Sequence, residues 1–236
     1  AASSNPELDS DTMCPVEAAR ITSLTVLLVD VTDPMNLPQR QDFINQLHNL
    51  AEGIPRFGKL IITKVDPVSE QLLDPVIVVC NPGTGEDASQ WSGNPKKLSE
   101  LHLEKFRKPL DRAFESLVSA SGADRSPILE SIQSVNLTEF QKATRSNFPK
   151  QLVVASDLLQ HTDAISFYRG IPDSERLIAS PEFGRTRTDL RGVEVELWML
   201  ERTDNKKTQP RALAELWDSL IQSQNGSVKR LYRISG

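Results

Sequence analysis

The chain has little of what would mark it for a membrane, a nucleic acid or a redox centre. Its longest apolar runs reach about six to eight residues against the roughly 20 that a helix needs to cross a bilayer, which excludes a transmembrane helix within this sequence. Basic residues are not in excess: 27 Lys and Arg stand against 32 Asp and Glu, a formal charge of −5. Such a field does not attract phosphate backbones, and nucleic acid is excluded as a partner. Cysteine is limited to Cys14 and Cys80, and His48, His102 and His161 show no metal-ligand spacing with them. No Gly-x-Ser-x-Gly turn is present and neither cysteine has a partner base, so the common nucleophile constellations are missing. Cys80-Asn81-Pro82-Gly83-Thr84-Gly85 has the outline of a phosphate-cradling turn, but it lacks the lysine and helix start of a P-loop, and Pro82 removes a donor. It reads as an ordinary loop. Internal repeats are absent as well.

What is there is an α/β pattern. A chain of 236 residues, 38% apolar and 25% charged, fits one domain with a self-sufficient core. Runs rich in Val, Ile and Leu predict strands at 24 to 30, 59 to 65, 76 to 80, 151 to 156, 193 to 200 and 227 to 234. Between most of them lie helical spacings. One helix covers 37 to 53, with Pro38 in its first turn. A second covers 98 to 119, with Pro109 dividing or kinking it. A third carries Ile128, Ile132 and Val135, with Ser126 as N-cap and Pro127 as first residue, and a short one starts at Ser180-Pro181. A last helix carries Leu213, Leu216, Trp217 and Leu220. Residues 66 to 75 are too few for a crossover helix, so the strands on either side form an antiparallel hairpin. The expectation is a three-layer, Rossmann-like sandwich: a mostly parallel sheet with one antiparallel edge strand, spanning 21–236 after a disordered or extended leader at 1–20.

The chemistry gathers at strand ends. Asp30 follows Leu24-Thr25-Val26-Leu27-Leu28-Val29 and opens Asp30-Val31-Thr32-Asp33-Pro34. Asp157 follows Leu152-Val153-Val154-Ala155-Ser156, and Ser126 lies at a helix start. Loops at the carboxyl ends of parallel strands are where open α/β sheets bind ligands. Taken singly, each residue has a bland role as a turn or helix cap. Two aspartates and two hydroxyls, some acting through water, also suit Mg²⁺, which is commonly held by one or two carboxylates.

These three motifs, in this order, resemble the von Willebrand factor A domain and its metal-ion-dependent adhesion site. In that family the motifs are Asp-x-Ser-x-Ser, a Thr or Ser often followed by Pro, and an Asp after the fourth strand. Position by position, the resemblance implies Asp30, Thr32, Ser126 and Asp157 as ligands of Mg²⁺ or Mn²⁺. Pro34 stands where the family has its second serine, so one usual ligand is missing. The likeness spans about residues 22 to 235 and includes the reversed strand. It implies a non-enzymatic protein-binding module, an adhesion or assembly subunit of a larger complex, taking a partner's acidic side chain at the metal. Asp33, Met35, His161, Phe167, Tyr168 and Arg169 would form the contact face, with exposed aromatics and Arg as anchors. Two alternatives stand beside it. One is a haloacid-dehalogenase-like phosphohydrolase with Asp30 as nucleophile, although Thr32 occupies the place of its acid/base aspartate. The other is a metal-free scaffold subunit.

Compartment rests on the cysteines. On the expected topology Cys14 and Cys80 both lie at the pole opposite the metal residues, where they either form a disulfide or remain a buried thiol and a leader thiol. A disulfide would point to an exported chain, periplasmic or extracellular, and would make Ala-Ala-Ser-Ser its mature start. The triplets Asn136-Leu137-Thr138 and Asn225-Gly226-Ser227 arise too often by chance to add to this.

Overall fold

All six apolar runs form strands. The computed structural model describes residues 5–31, 33–66, 74–88, 93–119, 122–202 and 209–235. Strands β1 (Leu24–Val29), β2 (Lys59–Lys64), β3 (Pro75–Cys80), β4 (Lys150–Ser156), β5 (Val193–Leu200) and β6 (Ser227–Ile234) make one sheet in the order β3-β2-β1-β4-β5-β6. All neighbours are parallel except β2 and β3, which run antiparallel. This is the expected arrangement, a doubly wound, mostly parallel sheet with a single reversed edge strand. Central β1 is buried at every position, as befits a strand covered on both faces. Edge strand β6 instead exposes Lys229, Arg230 and Arg233, charges that discourage edge-to-edge pairing.

Two apolar clusters cover the two faces. On one, helices α1 (Leu37–Glu52) and α3 (Lys108–Val118) bring Phe43, Leu47, Phe114 and Leu117 against Leu27, Val29, Val153 and Trp198. Phe43 stacks on Phe114 at 5.7 Å and meets Trp198 edge-on at 5.8 Å. On the other, α4 (Ile128–Val135), α6 (Pro181–Thr186) and α7 (Arg211–Ser223) bring Ile132, Phe183, Leu216 and Trp217 against Val26, Leu28, Leu152 and Val195. Helix α1 starts on a capping box, Asn36 with Gln39, which satisfies two of the open N–H groups of its first turn.

The structure refines several expectations. The stretch around Pro109 is an α-helix at Pro95–His102 (α2), a π-helical turn at Leu103–Arg107, then α3. A wide turn just before Pro109 accommodates both its missing N–H and the clash of its ring with the carbonyl four residues back. The polar stretch after β4 contains a helix the spacing did not predict, α5 (Ser174–Ile178), capped by Asp173. It is a little over one turn long, too short for a periodicity to show. Asn136 does not suit a glycan: it is 1% exposed, and its amide donates to Thr188 Oγ1 at 2.6 Å and to the Asp189 carbonyl at 2.9 Å.

Cys14 and Cys80 are joined by a disulfide across a separation of 66 residues. The segment before β1 is pinned there by a second link, the Cys80 N–H to the Thr12 carbonyl at 2.8 Å. Cys80 pairs with Lys59, the first residue of β2, which puts the bridge at the amino-terminal pole of the parallel strands. The loop at Asn81 to Gly83 lies at the same pole: Asn81 Nδ2 donates to the Ile54 carbonyl and Arg56 Nε to the Pro82 carbonyl.

Candidate functional site

β1 and β4 are neighbours whose connections leave in opposite directions, β1 through α1 to β2 and β4 through α5 and α6 to β5. That makes their carboxyl ends the switch point of the sheet, where the loops part and leave a crevice. The pairing Val29 with Ala155, and the Asp30 N–H donating to the Ala155 carbonyl at 2.8 Å, bring Asp30 and Ser156 side by side. Three expected residues converge here: Asp30, Ser126 and Asp157. Thr32 lies outside the described residues.

Asp30 is 4% exposed. Its Oδ2 accepts the hydroxyls of Ser126 and Ser156, the latter at 2.9 Å. Burial raises its carboxyl above the usual range, the two hydroxyls pull it back down, and the negative Asp33 adds to the rise. Ser126 is therefore not the N-cap that its place before Pro127 suggested. Its hydroxyl goes to Asp30, the cap position falls on Pro127 without a side-chain bond, and Gln160 Oε1 takes the Leu129 N–H of the first turn at 2.9 Å. A reciprocal backbone pair holds Ser126 in place, N–H to the His161 carbonyl at 2.9 Å and carbonyl to the His161 N–H at 3.0 Å.

The turn after β4 is tight. Ser156 Oγ accepts the Leu158 N–H and Asp157 Oδ1 the Leu159 N–H, both at 2.9 Å. Between them Leu158 adopts φ +62°, a left-handed conformation that costs a branched residue about 1 kcal/mol or more. Trp217 Nε1, donating to the Leu158 carbonyl at 2.8 Å, helps hold it. One oxygen of Asp157 thus has the bland role of a turn acceptor. The other, Oδ2, lies 3.9 Å from Arg202 Nη1, and Arg202 Nε is 2.9 Å from Asp33 Oδ2.

Of the expected contact face, Tyr168 is 40% exposed, and Asp33 and Arg169 are exposed with His161 partly so. The Tyr168 ring stacks on His161 at 4.3 Å with the planes 4° apart, and Arg202 lies over it with Cζ 5.7 Å from the centroid. The Tyr168 hydroxyl is held above its usual range by burial first and by the Asp157 charge next. Two members do not belong to an open face. Phe167 is 1% exposed and meets Trp217 edge-on at 6.0 Å, and Met35 is buried under α1 with Val31. Both are apolar enough for the core to claim them. The sequence reading missed Ser156, Arg202 and Gln209. Ser156 was visible as the hydroxyl before Asp157. Arg202 was visible as a charged group just past β5, whose end stands beside that of β4. Gln209 carried no signal.

The resemblance implies a divalent cation here, and the described members of the donor set, Asp30, Ser126 and Asp157, are a poor fit for one. Mg²⁺ asks for a near-octahedral shell of oxygens. Asp30 Oδ2 already accepts two hydroxyls, one oxygen of Asp157 is committed to the backbone, and Pro34 brings no hydroxyl. A guanidinium lies beside the other Asp157 oxygen.

Scans against family models and curated sequences return no match. Solved structures do resemble the chain. The SpRpn10 VWA domain is 11% identical with a TM-score of 0.46, over 90% of this chain and 88% of that one. A von Willebrand factor type A protein from Catenulispora acidiphila is 13% identical with a TM-score of 0.47, over 89% of this chain and 38% of that one. The conserved hypothetical protein BatB from Bacteroides thetaiotaomicron is 9% identical with a TM-score of 0.43, over 89% of both chains. Identities and scores this low carry no argument about function. Function has to be read from the side chains at the pole.

Proposed function

We propose that this chain is a non-enzymatic protein-binding module, an adhesion or assembly subunit whose contact face is the carboxyl-terminal pole of its sheet. One observation carries the reading: a half-exposed Tyr168 stacks on His161 and has Arg202 over its ring at the rim of the switch-point crevice, with exposed Arg169 next to it. Tyr and Arg are among the residues that most often anchor interfaces, and a ring already packed against two neighbours has less entropy to lose on binding. Asp33, beside Arg202, adds a charged rim suited to steering a partner. As a phosphohydrolase nucleophile Asp30 is badly placed: it is buried, one oxygen is shared by two hydroxyls, and no acid/base carboxylate stands two residues on. A screen of phosphate esters is expected to show no turnover above background.

Affinity capture from the native source tests the face. A partner held by the wild type should be lost by the Tyr168→Ala/Arg169→Glu double variant, weakened at least 100-fold on the scale of two anchor residues at about 1.5 kcal/mol each. The same partner should be kept by Lys97→Glu, an exposed change on α2. Equal retention by the pole variant and loss by the α2 variant would reverse the assignment of the face.

A further inference from the structure

Three adjacent parallel strands deliver charged groups to one pole, β1 with Asp30, β4 with Asp157 and β5 with Glu201 and Arg202. The Arg202 side chain is 19% exposed and turns back over the crevice, Nε at 2.9 Å from Asp33 Oδ2 and Nη1 at 3.9 Å from Asp157 Oδ2. Its main chain is fixed by one buried amide. Gln209 Oε1 accepts the Arg202 N–H at 2.8 Å, while Gln209 Nε2 donates to the Asp157 and Leu200 carbonyls at 3.0 and 2.9 Å. The backbone origins of Asp157 and Arg202 are thereby tied to each other.

We propose that Arg202 is the resident cation of this pole: its guanidinium draws Asp33 and Asp157 together and fills the electrostatic place of a divalent ion, so that the site is assembled without metal. A guanidinium suits the task because it is permanently charged, weakly hydrated and planar, and can serve two carboxylates and a ring face at once. It also bars the alternative. A dication entering beside Asp157 would meet a like charge within a few ångström in a partly dry crevice, where such repulsion is much stronger than in water. The inference does not depend on what the pole binds.

Mn²⁺ titration, followed by the resonance signal of the free ion, and thermal unfolding of the same proteins test it together. The wild type is expected to take up no Mn²⁺ in the millimolar range and to keep its Tm in chelator and in Mn²⁺ alike. Arg202→Gln should lower Tm by roughly 5 °C, chiefly because it abandons the buried Asp157 carboxylate, Asp33 being half exposed and open to water, and adding Asp157→Asn should recover part of that loss by removing the buried charge. Arg202→Lys, which keeps the charge and loses the fork, should lie between. Stoichiometric Mn²⁺ uptake by the wild type would overturn the proposal. So would strictly additive Arg202→Gln and Asp157→Asn effects, which would mean that the two groups do not interact. Should Arg202→Gln not fold, the wild-type titration and the Arg202→Lys comparison still decide.

Discussion

Breaking the Cys14–Cys80 disulfide is expected to cost about 4 kcal/mol, from the chain entropy released when a loop of some 66 residues is opened, and to lower Tm by roughly 10 °C. The bridge does more than close a loop. It ties the first described segment to the amino-terminal pole, where Asp9 Oδ1 accepts the Asp11 and Thr12 N–H groups and the Thr12 carbonyl accepts the Cys80 N–H. Without the bond, this strap has few links to the rest of the fold. Guanidinium unfolding of the oxidised protein beside Cys14→Ala/Cys80→Ala should show the midpoint fall and the slope steepen, because the unfolded chain without the cross-link expands and exposes more surface. Coincident midpoints would mean that the unfolded chain gains nothing by release. Intact mass with and without reduction, on protein from its native source, shows whether the bond exists there. Its presence would place the chain in an oxidising compartment.

The second large effect is at Asp30, and its sign depends on the replacement. Asp30→Ala should destabilise by about 2 kcal/mol, because the hydroxyls of Ser126 and Ser156 lose their shared acceptor in a buried place. Asp30→Asn keeps an acceptor and removes a buried charge, so it should stabilise by about 1 kcal/mol at neutral pH. The pH dependence separates these causes. Burial holds the Asp30 carboxyl above its usual range, so the folded state grips the proton more tightly than the unfolded state does. The stability contributed at Asp30, read as the difference between wild type and Asp30→Asn, should therefore fall as pH rises from about 4, where an unfolded Asp ionises, and level off once the folded group has ionised too. The advantage of Asp30→Asn should vanish below about pH 4. A constant advantage at every pH would show that the gain comes from packing.

Much of the fold was legible because its signals are local. The β1 and β4 runs are continuous apolar stretches that only a doubly covered strand explains, and the ten residues between the β2 and β3 runs were too few for anything but a reversal. The site was legible in part. Asp30 and Asp157 stand directly after strands, so their positions follow from the topology. Ser126 looked like a helix cap because its sequence context, Ser-Pro before an apolar spacing, is that of one. Only the three-dimensional approach of Asp30 shows where the hydroxyl goes. Phe167 beside Tyr168 could not be sorted from the sequence, since neighbours in an irregular loop have no period to say which faces inward. Arg202 could be placed at this pole from its position just past β5, but its partners could not be read, since Asp33 and Asp157 are distant in the chain and only the order β1-β4-β5 brings the three together.

The most direct test of the pole as a contact face is amide hydrogen exchange on the complex with the partner that the wild type captures, run in chelator throughout. Protection should rise at Ser166–Gly170 and Asp33–Asn36 and stay unchanged at Asn81–Asp87 on the opposite pole, with the complex intact in the absence of divalent ions. Protection confined to Asn81–Asp87, or a complex that falls apart when the chelator is added, would contradict a metal-independent face at the carboxyl-terminal pole.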